Sequence, residues 1–382
     1  MRVIYIIPYA SGGMAQYTAE LANAVSKYAE VYILTNKEID QNYFDNSLNL
    51  VRAFGNVDVS ISDLKSICTT SNVKSLLSYK NVKLIKKIDP NIIHITTPLV
   101  FPLPLFIKFY KLNSDYHIMF TNHYIHQDAG LLIESISHIQ CFFDRLINYD
   151  RIIVHTKSDK DLLVHNKTFV EDKIDIIPHG AYKFFVKYSP ASTNSHPDSK
   201  EKIILFFGYI RQYKGIDILL ESLYGVLEEI EGVKLILAGE GNLTPYIDAI
   251  DDLKPAVEVY NDYISDKKVA ELFCRASVVV LPYTQMSGQS GVINVAFAFG
   301  KPVVATDICG LNEAIENNVT GLLVPPKDSK LLAEAIIKIL KDKKLRLEIS
   351  NNVSNKSLEL SWNNIAKKHL AIYNHVLKTP KK

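Results

Sequence analysis

The amino-acid sequence predicts an α/β protein of two Rossmann-like, doubly wound lobes that face a cleft. The first observation is length, because 382 residues exceed what one hydrophobic core usually supports. The second is that apolar strand-like runs alternate with helical patterns, which is typical of parallel β/α layers. The third is that this alternation begins again after residue 200. We therefore expect two lobes of similar construction.

The elements follow in order along the chain. In the first lobe we predict a helix at Gln16–Ser26 and strands at Val3–Ile7, Val31–Thr35, Ile92–Ile95, His117–Thr121 and Arg151–His155. In the second lobe we predict strands at Lys202–Phe207, Val233–Ala238, Val278–Pro282 and Pro302–Thr306, and helices at Ile218–Glu229, Lys267–Arg275 and Gly291–Gly300. The Ser, Pro and Asn content of residues 183–200 indicates a linker, which gives domains at residues 1–182 and 201–360.

Composition excludes several classes of protein. A formal net charge of +2 is too small for a dedicated nucleic-acid binder, so no nucleic-acid partner is expected. The four cysteines lie far apart without a CxxC pair, which favours neither a zinc site nor a disulfide framework and fits a reducing compartment. The first apolar run is too short for a signal peptide, and the longest later one is interrupted by Pro102, Pro104 and Lys108. We expect a soluble, cytoplasmic protein.

The segment Leu205–Gly215 (LFFGYIRQYKG) is the most informative in the chain. An apolar strand leads into a turn at Gly208 that presents Arg211 and Lys214 just before a helix. Backbone N–H groups at a helix start favour anions, and a guanidinium adds bidentate hydrogen bonding. The segment predicts a diphosphate site. The alternative is a surface turn with two solvated charges.

A second glycine-containing loop follows the first strand. Gly12 and Gly13 would let the backbone approach a ligand, with a helix opening directly behind them. Open parallel sheets bind ligands beyond the carboxyl ends of their strands, which is where this loop lies. A double glycine that simply turns the chain is the alternative.

Several ordered motifs, most of them in the second lobe, resemble one family. They are Ser287–Ala305 (SGQSGVINVAFAFGKPVVA), Gly310–Glu313 (GLNE), Asn317–Pro326 (NNVTGLLVPP), Leu237–Gly241 (LAGEG) and Ile177–Gly180 (IPHG). Together with Leu205–Gly215 they resemble the donor-binding lobe of retaining, nucleotide-sugar-dependent glycosyltransferases of the GT-B fold, the glycosyl transferases group 1 type. The resemblance covers nearly the whole chain and is stronger after residue 200. It implies that residues 361–382 form a terminal helix that crosses back to the first domain.

The resemblance also implies site residues in the second lobe. Arg211 and Lys214 would hold the donor diphosphate and stabilise its departing charge, beside Gly208. The start of the helix predicted at Gly291–Gly300 would meet the donor sugar or phosphate. The residues there are Ser287, Gln289, Ser290, Gly291 and Val292. A polar capping loop without a ligand is the alternative for that segment.

The chain departs from the family at two positions. Many members hold two glutamates eight residues apart in this segment, and alignment on Gly300 puts Ser287 and Val295 there. Val295 cannot accept hydrogen bonds from a ribose, whereas Ser287 or Gln289 can still bond a sugar. We interpret Val295 as a core residue on an apolar helix face.

Histidines supply the candidates in the first lobe. His123, at the end of a strand, resembles the family's histidine near the donor sugar, with His126 or Asp128 as alternatives and a histidine bonded only within its loop as another. His155 and His179 each close a strand and are further acceptor-side candidates. Asp159–Lys160–Asp161 resembles a DxD metal motif only superficially, and we expect Ser158 to cap a helix there. No metal and no cofactor are predicted.

These implications define a function. We expect a hexosyltransferase-type enzyme (EC 2.4) that moves a sugar from a nucleoside-diphosphate sugar to a glycan or lipid-linked acceptor, with retention and without metal, in polysaccharide biosynthesis. A non-catalytic paralogue that binds a nucleotide sugar or a partner protein is the alternative, because both glutamates are missing. A nicotinamide dehydrogenase would need GxGxxG after the first strand, which is absent.

A basic amphipathic pattern bears on location. Val73–Ile88 carries lysines off its apolar stripe, and Phe101–Lys111 extends the pattern. One interpretation is peripheral contact with anionic lipid at the inner membrane face. The other is an ordinary surface helix whose apolar side packs on the sheet.

Overall fold

The computed structural model describes residues 1–7, 12–54, 79–97, 107–123, 147–166, 168–190, 202–286 and 288–381. The chain divides into two compact units. Unit 1 comprises Met1–Pro178 and Trp362–Lys382, and unit 2 comprises His179–Ser361. Each unit is built around its own parallel sheet.

Unit 1 contains a sheet of seven described strands in the order β3-β2-β1-β4-β5-β6-β7. The strands are β1 (Arg2–Ile7), β2 (Glu30–Asn36), β3 (Asn49–Phe54), β4 (Ile92–Ile95), β5 (His117–Thr121), β6 (Arg151–Val154) and β7 (Ile174–Ile176). The described helices are α1 (Gly13–Val25), α2 (Tyr79–Ile88), α3 (Leu112–Asp115) and α4 (Lys157–His165). The central strands β1, β4 and β5 are buried on both faces, as their near-continuous apolar sequences require.

Unit 2 contains a sheet of six described strands in the order β10-β9-β8-β11-β12-β13. The strands are β8 (Lys202–Phe207), β9 (Val233–Ala238), β10 (Val257–Tyr260), β11 (Val278–Leu281), β12 (Val303–Thr306) and β13 (Gly321–Val324). The helices are α5 (Ile216–Glu229), α6 (Ile247–Asp252), α7 (Asp266–Arg275), α8 (Gly291–Ala298), α9 (Ser329–Lys341) and α10 (Lys343–Glu359). The last helix, α11 (Trp362–Leu377), belongs to unit 1 and packs on α1.

The predicted α/β class and its parallel sheets are confirmed. Four of the described strands were not predicted as strands from the sequence. They are β3, β7, β10 and β13, and each is an edge strand of its sheet. Edge strands are covered on fewer sides, so they tolerate polar residues such as Arg52, Asp175 and Glu258 that break an apolar run.

The segment Asn317–Pro326 forms a turn and a parallel strand. Asn318 has φ +63° and its N–H donates to the Gly321 carbonyl at 2.8 Å, so the chain turns tightly there. Gly321 then pairs with Val303 in parallel. The polar residues before Gly321 close the turn, and the apolar residues after it pair as a strand.

The N-cap of the helix that contains Asp159 and Asp161 lies two residues earlier than predicted. Thr156 has extended backbone angles, and its Oγ1 accepts a hydrogen bond from the Asp159 N–H at 3.0 Å. Ser158 is already inside the first turn of α4. The prediction of Ser158 as the cap was wrong, because the cap must be the extended residue that leaves β6.

The basic helix α2 uses its apolar side for the core of unit 1. Val82, Ile85 and Ile88 are buried in the cluster around the sheet. Lys83, Lys86 and Lys87 are exposed, and Lys86 lies 3.4 Å from Asp115. Residues 73–78 and 101–106 lie outside the described residues. None of the described helices is long and apolar enough to cross a membrane.

Candidate functional site

The loop after β8 joins the sheet of unit 2 to α5 through two glycines with positive φ. Gly208 has φ +107° and Gly215 has φ +66°, with a short 3₁₀ turn at Gln212–Lys214 between them. A Cβ at Gly215 would lie 2.0 Å from the Pro282 carbonyl oxygen. This close approach fixes the loop against the end of β11.

Lys214 is the most unusual charge in this loop. The residue is only 7% exposed, and within the described residues its ammonium makes no hydrogen bond and no ion pair. Burial lowers the pKa of Lys214, and the charge of Arg211 acts in the same direction as a lesser cause. A buried cation without an anionic partner is costly, so the site favours an anion. Arg211 itself is exposed.

The start of α8 lies next to this cation. Ser290 is the N-cap residue, is 7% exposed, and makes no side-chain capping hydrogen bond. A Cβ at Gly208 would lie 2.8 Å from Lys214 Nζ and 3.4 Å from Val292 Cγ2. Gly208 therefore separates the ammonium from the first turn of α8. The helix start adds N–H donors and a positive dipole end to the same place.

Neighbouring loops approach Gly208 as closely as backbones allow. A Cβ at Gly239 would lie 2.1 Å from the Gly208 carbonyl oxygen, and a Cβ at Gly310 would lie 2.1 Å from that of Gly288. The glycines of the LAGEG and GLNE motifs thus permit close backbone contacts between these loops of unit 2. We call Gly208, Arg211, Lys214, Ser290, Gly291 and Val292 the cation loop site.

Gln289 and His179 are joined within unit 2. The His179 backbone N–H donates to Gln289 Oε1 at 3.0 Å, and His179 Nε2 lies 3.1 Å from the Tyr182 hydroxyl. His179 is 4% exposed and is placed in unit 2 rather than with the other histidines. Gln289 therefore already has one partner in the protein, which fixes the loop before α8.

Of the two positions where the family holds glutamates, the structure describes Val295 but not Ser287. Val295 is 4% exposed and lies in the core of unit 2, as its apolar neighbours predicted. Ser287 lies outside the described residues. The sequence of α8 contains no acidic residue, so no carboxylate of that helix takes the place of the missing glutamate at Val295.

In unit 1 the predicted glycine loop leads directly into a helix. Gly12 is the N-cap residue of α1 with φ +91°, and α1 begins at Gly13, three residues before the predicted start. A Cβ at Gly12 would meet no atom within 4 Å. The positive φ explains the glycine, and the residues 8–11 before it lie outside the described residues.

Two predicted histidines come together at the carboxyl edge of the first sheet. His155 Nε2 lies 2.9 Å from His123 Nδ1, and the Tyr17 ring contacts both rings. His155 Nδ1 lies 2.9 Å from the Ile177 carbonyl, and His123 Nε2 lies 2.9 Å from the Thr96 carbonyl. His126 lies outside the described residues.

The hydrogen-bond partners constrain the protons of this pair. A carbonyl only accepts, so His155 Nδ1 and His123 Nε2 must both be donors. Burial lowers the pKa of His155 to about 4, so this ring is neutral near pH 7 and its Nε2 is an acceptor. Both ring nitrogens of His123 thus lie within hydrogen-bond distance of a protein partner, the Thr96 carbonyl and His155 Nε2.

A buried polar network beside this pair was missed by sequence reasoning. His94 Nδ1 lies 2.6 Å from the Tyr373 hydroxyl, and His94 Nε2 lies 2.8 Å from Thr121 Oγ1. The Tyr373 hydroxyl also lies 2.9 Å from that of Tyr5. The only local signal is a histidine inside the apolar strand β4, and its partners are up to 279 residues away.

No cluster of three or more metal-ligating side chains occurs in the ranges of the chain that the structure describes. Asp159 lies in the first turn of α4 and is 4% exposed.

Comparison with known families gives two matches. Residues 11–181 match the model of Glycosyltransferase Family 4, and residues 201–342 match that of Glycosyl transferases group 1. The matched ranges fall largely within unit 1 and unit 2, respectively.

Similar curated proteins are glycosyltransferases by name. The capsular polysaccharide biosynthesis glycosyltransferase CapM of Staphylococcus aureus is 25% identical over 91% of this chain and 93% of its own length. An uncharacterized glycosyltransferase of Methanocaldococcus jannaschii is 29% identical over 58% of this chain. The chain spans 59% of the length of the latter, and 46% of a Campylobacter jejuni N-acetylgalactosaminyltransferase to which it is 30% identical.

Solved structures share the fold. The sucrose-phosphate synthase of Thermosynechococcus elongatus has a TM-score of 0.75 at 20% identity, covering 99% of this chain and 100% of its own. HepE of Anabaena in complex with UDP has a TM-score of 0.74 at 16% identity, covering 98% and 100%. With both lobes matched in fold and both halves matched by family models, this chain belongs to the glycosyltransferases of the GT-B fold, with a second unit of the group 1 family.

Proposed function

We propose that the protein transfers a sugar from a nucleoside-diphosphate sugar to a glycan or lipid-linked acceptor, with retention of anomeric configuration and without a metal ion. The observation that carries the proposal is the buried ammonium of Lys214, which has no anionic partner among the described residues and lies beside the start of α8. Such a cradle matches the charge of a diphosphate.

The reaction assigns roles to the cation loop site. The bond between the anomeric carbon and the diphosphate oxygen breaks, and its electrons leave with the nucleoside diphosphate. Lys214, Arg211 and the α8 N–H groups stabilise that developing negative charge. The acceptor hydroxyl forms the new bond to carbon, and its proton goes to the departing diphosphate oxygen. In this proposal Lys214 and Arg211 supply the positive charge that a metal ion would otherwise supply.

The acceptor side is proposed to lie in unit 1, with His123 as the catalytic candidate. In this proposal the His123 ring acts on an anion or a sugar hydroxyl at the carboxyl edge of the first sheet. Related proteins support the acceptor class, because one relative by name acts on a diphospho-undecaprenol-linked sugar and another builds capsular polysaccharide. Gly12 and Gly13, at the start of α1, are also proposed as donor-binding residues.

Peripheral membrane contact at the inner face is part of this proposal. The exposed lysines of α2 and the 79% exposed Phe109, flanked by Lys108 and Lys111, lie on segments joined by the Lys86–Asp115 ion pair. Lysines with an exposed ring suit an anionic lipid surface. Co-sedimentation with phosphatidylglycerol vesicles at low salt tests this part, and absence of binding removes it.

A binding protein without turnover is the second candidate. The specific observation in its favour is Val295, which is buried where the family holds a ribose-binding glutamate. Titration with UDP, GDP and ADP, followed by transfer and donor-hydrolysis assays with the matching nucleotide sugars in EDTA, separates the two. Binding with turnover supports the enzyme, binding without turnover supports the second candidate, and no binding rejects both.

A further inference from the structure

Tyr283 contacts the Lys214 ammonium in a way that the family motif does not assign. Lys214 Nζ lies 5.2 Å from the centroid of the Tyr283 ring, within the range of a cation–π interaction. Tyr283 is 2% exposed, so this contact is shielded from water. Shielding strengthens the attraction between a cation and a ring face.

The ring is held firmly by the surrounding loops. Thr306 Oγ1 donates to the Tyr283 carbonyl at 2.6 Å, and the next residue, Thr284, donates its N–H to the Tyr213 carbonyl at 2.8 Å. The Tyr213 ring packs edge-on against Tyr283 at 6.0 Å. Because Tyr213 precedes Lys214, these contacts join the cation loop directly to the end of β11.

The hydroxyl of the same side chain points toward α8. Tyr283 Oη lies 3.5 Å from Oγ of Ser290, the N-cap residue. Burial raises the pKa of Tyr283 to about 12, so the hydroxyl is neutral at pH 7. One side chain therefore contacts both parts of the site, the cation and the helix start.

A π face and a carboxylate would hold this ammonium with different consequences. A carboxylate would accept its N–H groups and neutralise it, which would compete with a diphosphate. A ring face attracts the charge through its quadrupole and accepts no strong hydrogen bond. The lysine then keeps its three donors for a ligand.

We infer that Tyr283 is a positioning residue of the diphosphate site, whose ring fixes the Lys214 ammonium beside Gly208 and leaves its N–H donors to the ligand. This inference rests on the proposed function, because it takes a nucleoside diphosphate as the occupant. Tyr283 acts through Lys214 and does not itself contact the phosphates.

The test compares two substitutions by calorimetric titration with UDP, GDP and ADP. Tyr283→Phe keeps the ring face and should bind within about twofold of the wild type, whereas Tyr283→Leu removes it and should lose about 5- to 30-fold in affinity. Phe273→Leu removes a fully buried ring of unit 2 on α7 and is the matched control, with unchanged affinity expected. Thermal unfolding of each variant confirms that it is folded.

A double-mutant cycle separates positioning from general packing. In a Lys214→Met background, Tyr283→Leu should cause no further loss of affinity, because the cation that it positions is gone. Equal losses in both backgrounds, or unchanged affinity of Tyr283→Leu with Lys214 present, would overturn the inference while leaving the proposed function intact. A wild type that binds none of the three nucleotides would overturn both.

Discussion

His155 Nε2 lies 2.9 Å from His123 Nδ1, which makes a pair of rings at the carboxyl edge of the first sheet. Backbone carbonyls lie at both outer nitrogens of the pair. His155 is buried and neutral near pH 7, so its Nε2 is a hydrogen-bond acceptor that orients the His123 ring. This contact fixes the orientation of the His123 ring, and the first prediction concerns that ring.

Replacing His123 by Ala should lower the transfer rate by about 10²-fold, which is the low end of the contribution of a positioned proton-transfer or charge-stabilising group. Nucleoside diphosphate affinity should remain within a few-fold, because the cation loop site lies in unit 2. Steady-state transfer assays and calorimetry measure the two effects. His375→Ala, an exposed histidine on α11, is the control. Unchanged transfer by His123→Ala would contradict the assignment.

Arg211→Ala and Lys214→Ala should each weaken nucleoside diphosphate binding by about 1–3 kcal/mol, as the loss of a charge-assisted hydrogen bond does. Calorimetric titration with UDP, GDP and ADP measures this loss. Lys234→Ala removes an exposed lysine on β9 and should bind as the wild type does. The assignment fails when both site variants keep the affinity of the control.

Gly208→Ala should reduce both stability and nucleotide binding. Its φ of +107° strains any side chain by about 1–3 kcal/mol, and the added methyl would lie 2.8 Å from Lys214 Nζ. Gly232→Ala is a matched control, because it has φ +72° but open space around the new methyl. We expect both variants to unfold more easily and only Gly208→Ala to lose affinity. Equal affinities would mean that Lys214 adjusts without cost.

Acid should destabilise unit 1 through its buried histidines. Burial lowers the pKa of His155 and of His369 to about 4, whereas the unfolded value is about 6.5. Their stabilising contribution is present above pH 6.5 and is lost as the pH falls toward 4, because the unfolded chain takes up protons that the fold resists. Between pH 7 and pH 5 each ring should cost about 2 kcal/mol of unfolding free energy.

Urea unfolding at the two pH values measures this loss. His369→Leu should reduce the difference between pH 7 and pH 5, because one of the buried titrating rings is removed. His165→Leu changes an exposed histidine of α4 and is the control. A pH dependence that stays the same in His369→Leu would contradict the prediction.

Tyr373→Phe should destabilise the protein by about 1–3 kcal/mol, because it leaves buried hydrogen-bonding groups without a partner. The Tyr373 hydroxyl contacts both Tyr5 and His94, and all three side chains are 0% exposed. Chemical unfolding measures the loss. Tyr28→Phe removes a hydroxyl from a tyrosine that is 54% exposed and should be neutral. Equal stability of both variants would show that the buried network contributes nothing.

The central strands of each sheet could be predicted from the local sequence. Ile92–Ile95, His117–Thr121, Lys202–Phe207 and Val233–Ala238 were predicted with the bounds that the structure has. These strands are buried in the middle of their sheets, so nearly every side chain must be apolar. The edge strand β10 carries Glu258 in a half-buried sequence, so its pattern is ambiguous without its neighbour β9.

Within the candidate site, the glycine and cation motif was readable because its chemistry is local. Gly208, Arg211, Lys214 and Gly215 lie within eight residues, and their order along a strand-to-helix junction already indicates an anion site. The burial of Lys214 could not be predicted from the local sequence. It depends on Tyr283 and on the first turn of α8, which are about 70 residues away in the chain.

By itself the sequence determined the α/β class, the central strands and the residue types that an anion site requires, because these depend on periodicity and on neighbours along the chain. Only the tertiary structure decided that His155 lies against His123, that Tyr283 lies under Lys214, and that Tyr373 of α11 completes the core of unit 1. Such contacts join residues that are 32 to 368 positions apart. Their geometry follows from the packing of whole elements, which no local pattern specifies.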